Sequence, residues 1–188
     1  DAVDFPILMS NADLSGEAML SGKIAKSAII ERGGEKIGLI GLTPVNTPEI
    51  ASPGPNITFT QPADAVQGEV DKLTAEGVNK IIVLSHSGYK VDQDVAANTT
   101  GVDVIVGGHD NTLLGDMDGA KGKYPTMVGD TAIVQAYAYG KYLGELNVTF
   151  DDAGVITEAS GQPLLMDGAV TEDQPTVDRI AELAEPLE

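Results

Sequence analysis

Two histidines and no cysteine stand in the 188 residues, and both histidines close an apolar run. His86 follows KIIVLS (80–85) and His109 follows VDVIVGG (102–108), with Asp110 and Asn111 directly after it. Neutral imidazoles with an oxygen donor nearby suit a divalent cation such as Zn²⁺, Mn²⁺ or Fe²⁺. Gly107 and Gly108 remove side chains where the backbone has to turn. A single histidine at a strand end is explained by a hydrogen bond that caps the strand. Two of them, at matched positions and with none elsewhere, favour a shared site, and Asn111 is close enough in sequence to offer an amide oxygen. Asp110 is a candidate to orient one of the imidazoles from outside the ligand set, or a solvated loop residue.

For the histidines to meet, their two runs must be neighbouring strands. VDQDVAANT (91–99), between them, reads as a short helix. Strand, crossover and strand make a βαβ unit with a parallel pair, and continuous apolar runs of this kind expect cover on both faces. Adjacent strands lie about 4.8 Å apart. Ligands of such sheets bind beyond the carboxyl ends of the strands, where His86 and His109 stand.

The remaining segments complete an α/β reading as one domain. FPILMSNA (5–12) reads as a short buried strand leading into a polar loop. Its Asn11 is a candidate to face the site or to fix that loop. SAIIERGGEKIGLIGL (27–42) is a hairpin, with Gly33 and Gly34 free to take positive φ. Residues 43–62 hold five prolines and no clear period, which predicts a long loop. PADAVQGEVDKLTAEGVN (62–79) predicts a helix with Ala65, Val66, Val70, Leu73 and Ala75 as its apolar stripe and Gly77 beyond its end. YPTMVG, TAIVQAYAYG, YLGELNVTFDD and VITEASGQPLLM read as successive antiparallel strands with a turn at 151–154, the aromatics of AYAYGKY alternating along one of them. From about residue 171 an exit linker or helix is expected.

Eleven Lys and Arg against 29 Asp and Glu give a net charge of −18. That balance argues against a nucleic-acid groove or an anionic membrane surface as partner. A phosphate-bearing ligand would be repelled unless a strong local positive centre awaited it. No apolar stretch approaches the ~18–20 residues of a membrane span. Without cysteine there is no disulfide framework and no thiolate metal site. Ser85 and Ser87 flank His86, but no G-x-S-x-G elbow surrounds either. Asp116 and Asp118 in GDMDG lack the spacing of a calcium loop.

LSHSG followed by GVDVIVGGHDN resembles the C-terminal pair of motifs of the calcineurin-like metallophosphoesterases. The likeness is to their 5′-nucleotidase and UDP-sugar hydrolase family. FPILMSN, EKIGLIGLTP and IVQAYAYGKYLGELNVTFD resemble further stretches of it, so the likeness covers nearly the whole chain. It implies a four-layer sandwich of two central sheets flanked by helices, a periplasmic or secreted location, and hydrolysis of nucleotides or other phosphate esters. Two divalent metal ions, Zn, Mn or similar, would serve that reaction and supply the local positive centre. By the resemblance His86 and His109 share one metal and Asn111 binds the other, where many relatives carry His or Gln. The family's D-x-H motif, its bridging Asp and its GNH(E/D) motif with the catalytic histidine precede the segment matching FPILMSN, and none occurs in these residues.

The resemblance therefore implies that residues 1–170 are the C-terminal part of a catalytic domain. Residues 171–188 would begin a linker helix towards a substrate-binding domain. It implies three metal ligands here, no catalytic residue, and little or no hydrolysis by this chain alone. A sheet without its first strands would leave apolar surface and edges to be covered, by the missing N-terminal segment or another copy of the chain. Two alternatives stand beside this reading: an acidic, non-catalytic binding or assembly domain that retains the fold, and a mononuclear metal binder using His86 and His109 alone.

Overall fold

The computed structural model describes residues 3–20 and 22–185. In chain order the elements are β1 (Ile7–Leu8), β2 (Ala12–Asp13), β3 (Ile24–Ala25), β4 (Ser27–Arg32), β5 (Glu35–Leu42), α1 (Thr47–Ile50), β6 (Thr58–Phe59) and α2 (Pro62–Ala75). There follow β7 (Ile81–Ser85), α3 (Tyr89–Asn98), β8 (Val104–Val106), β9 (Thr126–Val128), β10 (Thr131–Val134), β11 (Tyr142–Phe150), β12 (Ile156–Leu165) and α4 (Gln174–Ala184). This is the expected α/β class.

Six strands form the main sheet in the order β4-β5-β7-β8-β10-β9. Its four inner strands run parallel, β5 with β7, β7 with β8 and β8 with β10. The edges are antiparallel. At one edge β4 and β5 form the hairpin read from the sequence, Ser27 opposite Ile40 through Arg32 opposite Glu35. Gly33 and Gly34 take φ +60° and +87°, which a two-residue turn matching the sheet twist requires.

Helix α2 opens with proline in its first turn and ends as sequence chemistry dictates. Gly77 sits at φ +80°, its N–H bonded to the Thr74 carbonyl and that of Val78 to the Leu73 carbonyl. That pairing satisfies the last open carbonyls of the helix. The buried face is narrower than the predicted stripe: Val66, Val70 and Leu73 are buried with Pro62 and Glu69, while Ala75 is exposed. At 3.6 residues per turn Ala75 lies roughly 140–200° around the helix from Val66, Val70 and Leu73, on the side facing away from the core. With α3, this face packs on Ile40, Ile81, Val83, Ile105 and Ile133 to form the core.

Several expectations are corrected. Continuous apolar runs predicted cover on both faces of β7 and β8. Among the described residues the helix side is sealed and the other face is covered only in part: Val104, Ala132 and Val134 are buried there, while Leu84 is 43% and Val106 42% exposed. An apolar run does not say how many of its faces are covered. Strand β10 was expected among antiparallel neighbours, yet it pairs parallel with β8 and antiparallel with β9. It also ends at Val134, so the tyrosines after it do not alternate along a strand: Tyr137 and Tyr139 lie at φ +65° and +59°, and Tyr139 is 93% exposed. The 43–62 stretch is not structureless, since it holds α1 and β6, the latter paired with β2. The long hairpin β11–β12 and the turn at 151–154 are as read. Helix α4 occupies most of the expected exit region and buries none of its residues; residues 186–188 of that region lie outside the described residues.

Candidate metal centre

The carboxyl ends of β7 and β8 are neighbours, Leu84 opposite Val106, and each leads within a few residues to a histidine. The His86 N–H donates to the Leu42 carbonyl at 2.8 Å, which ties its turn to the end of β5. The Gly107 N–H donates to the Val134 carbonyl at 2.8 Å and ties the second turn to the end of β10. The two imidazoles converge, with ring centroids 5.2 Å apart and planes inclined at 69°.

Glycine is required at 107 and gives room at 108, the two positions before His109. A methyl group on Gly108 would lie 3.1 Å from His86 Nδ1 and 3.2 Å from the Ser85 carbonyl. One on Gly107 would lie 2.4 Å from Asp92 Oδ2. Beyond them the backbone is strained, with φ +80° at His109 and +55° at Asn111. Such conformations persist only where surrounding bonds over-determine them, and they cluster at functional sites.

Gln135, buried at the end of β10, is one of the groups that hold this loop. Its Nε2 donates to the Gly108 carbonyl at 2.9 Å and its Oε1 accepts the Thr112 N–H. The two ends of the segment carrying His109 and Asn111 are therefore clamped by one side chain. Asp110 supplies a second tie: it accepts the Tyr89 N–H at 2.9 Å and the Thr112 hydroxyl at 3.0 Å. Partial burial works to raise the Asp110 carboxyl, but these hydrogen bonds and that of Gln135 outweigh it and hold it below the usual carboxylate range. Asp110 thus fixes the loop against the start of α3, and its hydrogen bonds reach neither imidazole. Asn111 is exposed and opens onto a cleft of about 330 Å³ shared with Lys121, Tyr137 and Lys141.

Asn11 takes the loop-fixing role of its two candidate roles. Fully buried, it donates to the Thr43 carbonyl at 2.8 Å and accepts the Thr43 N–H at 3.0 Å. Ser85 is no free nucleophile, because its hydroxyl donates to Asp92 at 2.5 Å while accepting the Ser87 N–H at 3.1 Å. Asp92 itself is fully buried, and burial pushes its carboxyl up to about 6; the Ser85 hydrogen bond opposes this and the charge of Asp110 adds to it.

Asp92 and Gln135 were not singled out from the sequence, and Ser85 was weighed only as a nucleophile. One signal was present for Asp92: it falls three residues from both Tyr89 and Val95, a charged side chain on the apolar stripe of α3. Gln135 directly follows the buried run TAIV and carried no comparable mark.

Among the described residues no three His, Cys, Asp or Glu side chains lie close enough together to hold a metal. The donors seen to converge are the two imidazoles; Asn111 stands two residues beyond His109 and opens onto the cleft just described. On one tetrahedral ion with metal–nitrogen bonds of about 2.0–2.1 Å, two imidazole centres are separated by roughly 5 Å. The observed spacing fits that arrangement, and Gly108 leaves His86 the room it needs.

No protein-family model matches the chain. It is 45% identical over 183 residues to a snake venom 5′-nucleotidase from Crotalus adamanteus, an alignment covering 91% of this chain and 31% of that protein. Its structure is similar to that of a 5′-nucleotidase precursor from Thermus thermophilus, with a TM-score of 0.93, 41% identity, and coverage of 97% of this chain and 38% of the other. A calcineurin-like phosphoesterase from Bacillus subtilis, 22% identical, shares the fold with a TM-score of 0.78 over 98% of this chain and 63% of its own. The chain spans about a third of the length of the curated relatives it matches.

Proposed function

The chain belongs to the 5′-nucleotidase family of calcineurin-like metallophosphoesterases, and from that premise we propose that the protein hydrolyses phosphate esters, nucleotides foremost, with two divalent cations. The observation that carries this reading is the convergence of His86 and His109 at 5.2 Å on two neighbouring strand ends. His86 and His109 would hold one cation, and Asn111 would offer its amide oxygen to the other. Bound divalent cations would clamp phosphoryl oxygens, lower the pKa of a water and offset transition-state charge. They would also supply the local positive centre that a protein of charge −18 needs to accept a phosphate. The chain's own residues orient the donors: Gln135 and Asp110 fix the loop of His109 and Asn111, and Ser85 fixes the turn of His86.

In this reading the chain supplies three donors, His86, His109 and Asn111, and no general base; the convergence of the two histidines supports the first two. Residues 1–170 act as the C-terminal part of the catalytic domain, and the region from 171 onward, which holds α4, leads out of it. On its own the chain hydrolyses little or nothing, and a working centre draws its remaining donors from outside these residues. We place the protein in the periplasm or outside the cell, a setting that its acidic, cysteine-free composition suits. Among the described residues no helix is long and apolar enough to cross a membrane.

The test is titration of the chain with Zn²⁺ or Mn²⁺ beside a His109→Ala variant, with AMP hydrolysis measured on a polypeptide that supplies the other donors. Stoichiometric binding lost in the variant, and hydrolysis lost with it, is the expected result. Equal binding by both proteins would overturn the assignment.

A further inference from the structure

Asp92 is a costly residue for its position. It lies on the buried side of α3 with Val95 and Ala96, where an apolar side chain would contribute more to stability. Its Oδ2 is buried with no hydrogen-bond partner, and a buried carboxyl oxygen left unpaired is unfavourable. What Asp92 touches explains its presence. Oδ1 accepts the Ser85 hydroxyl at 2.5 Å, and because that proton is committed to Asp92, Ser85 Oγ is oriented to accept the Ser87 N–H at 3.1 Å. Ser85 and Ser87 flank His86, so this chain of hydrogen bonds pins the turn on both sides of the imidazole. Oδ2 lies against Gly107, at 2.4 Å from where a methyl group would stand. One side chain therefore bears on both turns, 85–87 and 107–109.

We propose that Asp92 is a positioning residue, a strut from α3 that holds the two histidine-bearing turns at a fixed distance and so sets the separation of the imidazoles. Its effect on metal affinity rests on the reading of the histidine pair as a metal site; its effect on the pair's geometry does not. Removing the strut lets the turns relax independently while the sheet beneath them, built on Ile81, Val83 and Ile105, stays in place.

The experiment compares Asp92→Ala, Asp92→Asn and Val95→Ala. Val95 is buried on the same face of α3, so its truncation lowers stability without loosening either turn. Zn²⁺ affinity is measured by calorimetric titration, the thermal midpoint by scanning calorimetry, and the histidine separation in metal-free crystals. Asp92→Ala should weaken Zn²⁺ by about 10–100-fold, the range for partners that orient metal ligands, and should move the ring centroids away from 5.2 Å. Asp92→Asn should recover most of the affinity, because its amide oxygen still accepts the Ser85 hydroxyl. Val95→Ala should lose thermal stability and keep the affinity. Equal affinity losses in Asp92→Ala and Val95→Ala would overturn the proposal, as would an unchanged separation in the metal-free Asp92→Ala crystal. If the unaltered chain binds no Zn²⁺, the metal reading falls and the metal-free separation alone decides the role of Asp92. Should Asp92→Ala fail to fold, Ser85→Ala removes the same hydrogen bond from its other end and is read in the same way.

Discussion

Replacing Gly107 by alanine tests the construction of the site with a single methyl group. The new carbon would lie 2.4 Å from Asp92 Oδ2, 3.1 Å from Gln135 Nε2 and 3.4 Å from the Val134 carbonyl. Ordinary contact begins near 3.4 Å, so the Asp92 carboxylate has to retreat by roughly 1 Å, more than packed interiors yield without loss. Gly107 is absent from the positive-φ positions, so alanine meets no backbone penalty and the cost is steric. Overpacking of this kind costs about 1–3 kcal/mol. The retreat also stretches the bond from Ser85 to a buried acceptor, adding about 1 kcal/mol. A total of about 2–4 kcal/mol lowers the thermal midpoint by roughly 4–16 °C for a chain of this size. Scanning calorimetry measures it, and the double variant Gly107→Ala/Asp92→Ala supplies the decisive comparison. With the carboxylate gone the methyl group has space, so the double variant should be more stable than the sum of the single changes by at least about 1 kcal/mol. Additivity within about 0.5 kcal/mol would refute the claim that Asp92 and Gly107 bear on one another.

Other perturbations are equally specific. Asn11→Ala strands the N–H and carbonyl of Thr43 that Asn11 now satisfies, and should cost about 2–4 kcal/mol in urea unfolding, a loss below 1 kcal/mol counting against the clamp. Gly68, in the interior of α2 with nothing within 4 Å of its missing methyl group, should stabilise the chain by about 0.5–1 kcal/mol when changed to alanine; destabilisation would mean that α2 is less regular than described. Asp103, held by the Ile81 N–H at 2.6 Å, is pushed by burial from 3.8 up to about 6, against the pull of that bond and of Lys80. Its folded value lies above its unfolded one, so its contribution is full below about pH 4 and is lost as pH rises through 6. Thermal midpoints between pH 4 and 7 should fall less steeply in Asp103→Asn, and an unchanged slope would exclude Asp103 as the source.

The sequence revealed the convergence of His86 and His109 because two apolar runs with a helix between them have one common arrangement, and both histidines stand at the same end of it. The hairpin at Gly33 and Gly34 and the end of α2 at Gly77 were legible for a different reason: a positive φ leaves its mark as glycine. What supports the site was less visible. Gln135 acts through its place at the end of β10 beside β8, and a pairing between strands so far apart in sequence leaves no local period. Asp92 did leave a mark, a carboxylate on an apolar stripe, but what it touches depends on the path of 85–87 and 107–109 in space. The tyrosines after Val134 misled because alternation of residue types was read as alternation of faces, while the backbone there turns through positive φ at Tyr137 and Tyr139. The two-sided cover expected of β7 and β8 failed for a related reason, since hydrophobicity records what a face tolerates and not what lies upon it.

The half-bare face of the sheet, with Leu84 and Val106 in its middle, belongs to a molecule of charge −18. Two forces of different range then govern how copies of the chain meet. Like-charge repulsion holds them apart over roughly a Debye length, about 10 Å at 0.1 M salt, and shrinks to about 3 Å at 1 M. Attraction between apolar faces acts only at contact and is strengthened by excluded salts such as sulfate. The colloidal behaviour of the chain should therefore run against that of a protein held together by ion pairs: monodisperse in dilute buffer, and increasingly self-associating as salt is added. Light scattering across a sulfate series would show this, and Leu84→Lys, which places a charge on the face without touching the core, should move the onset to higher salt.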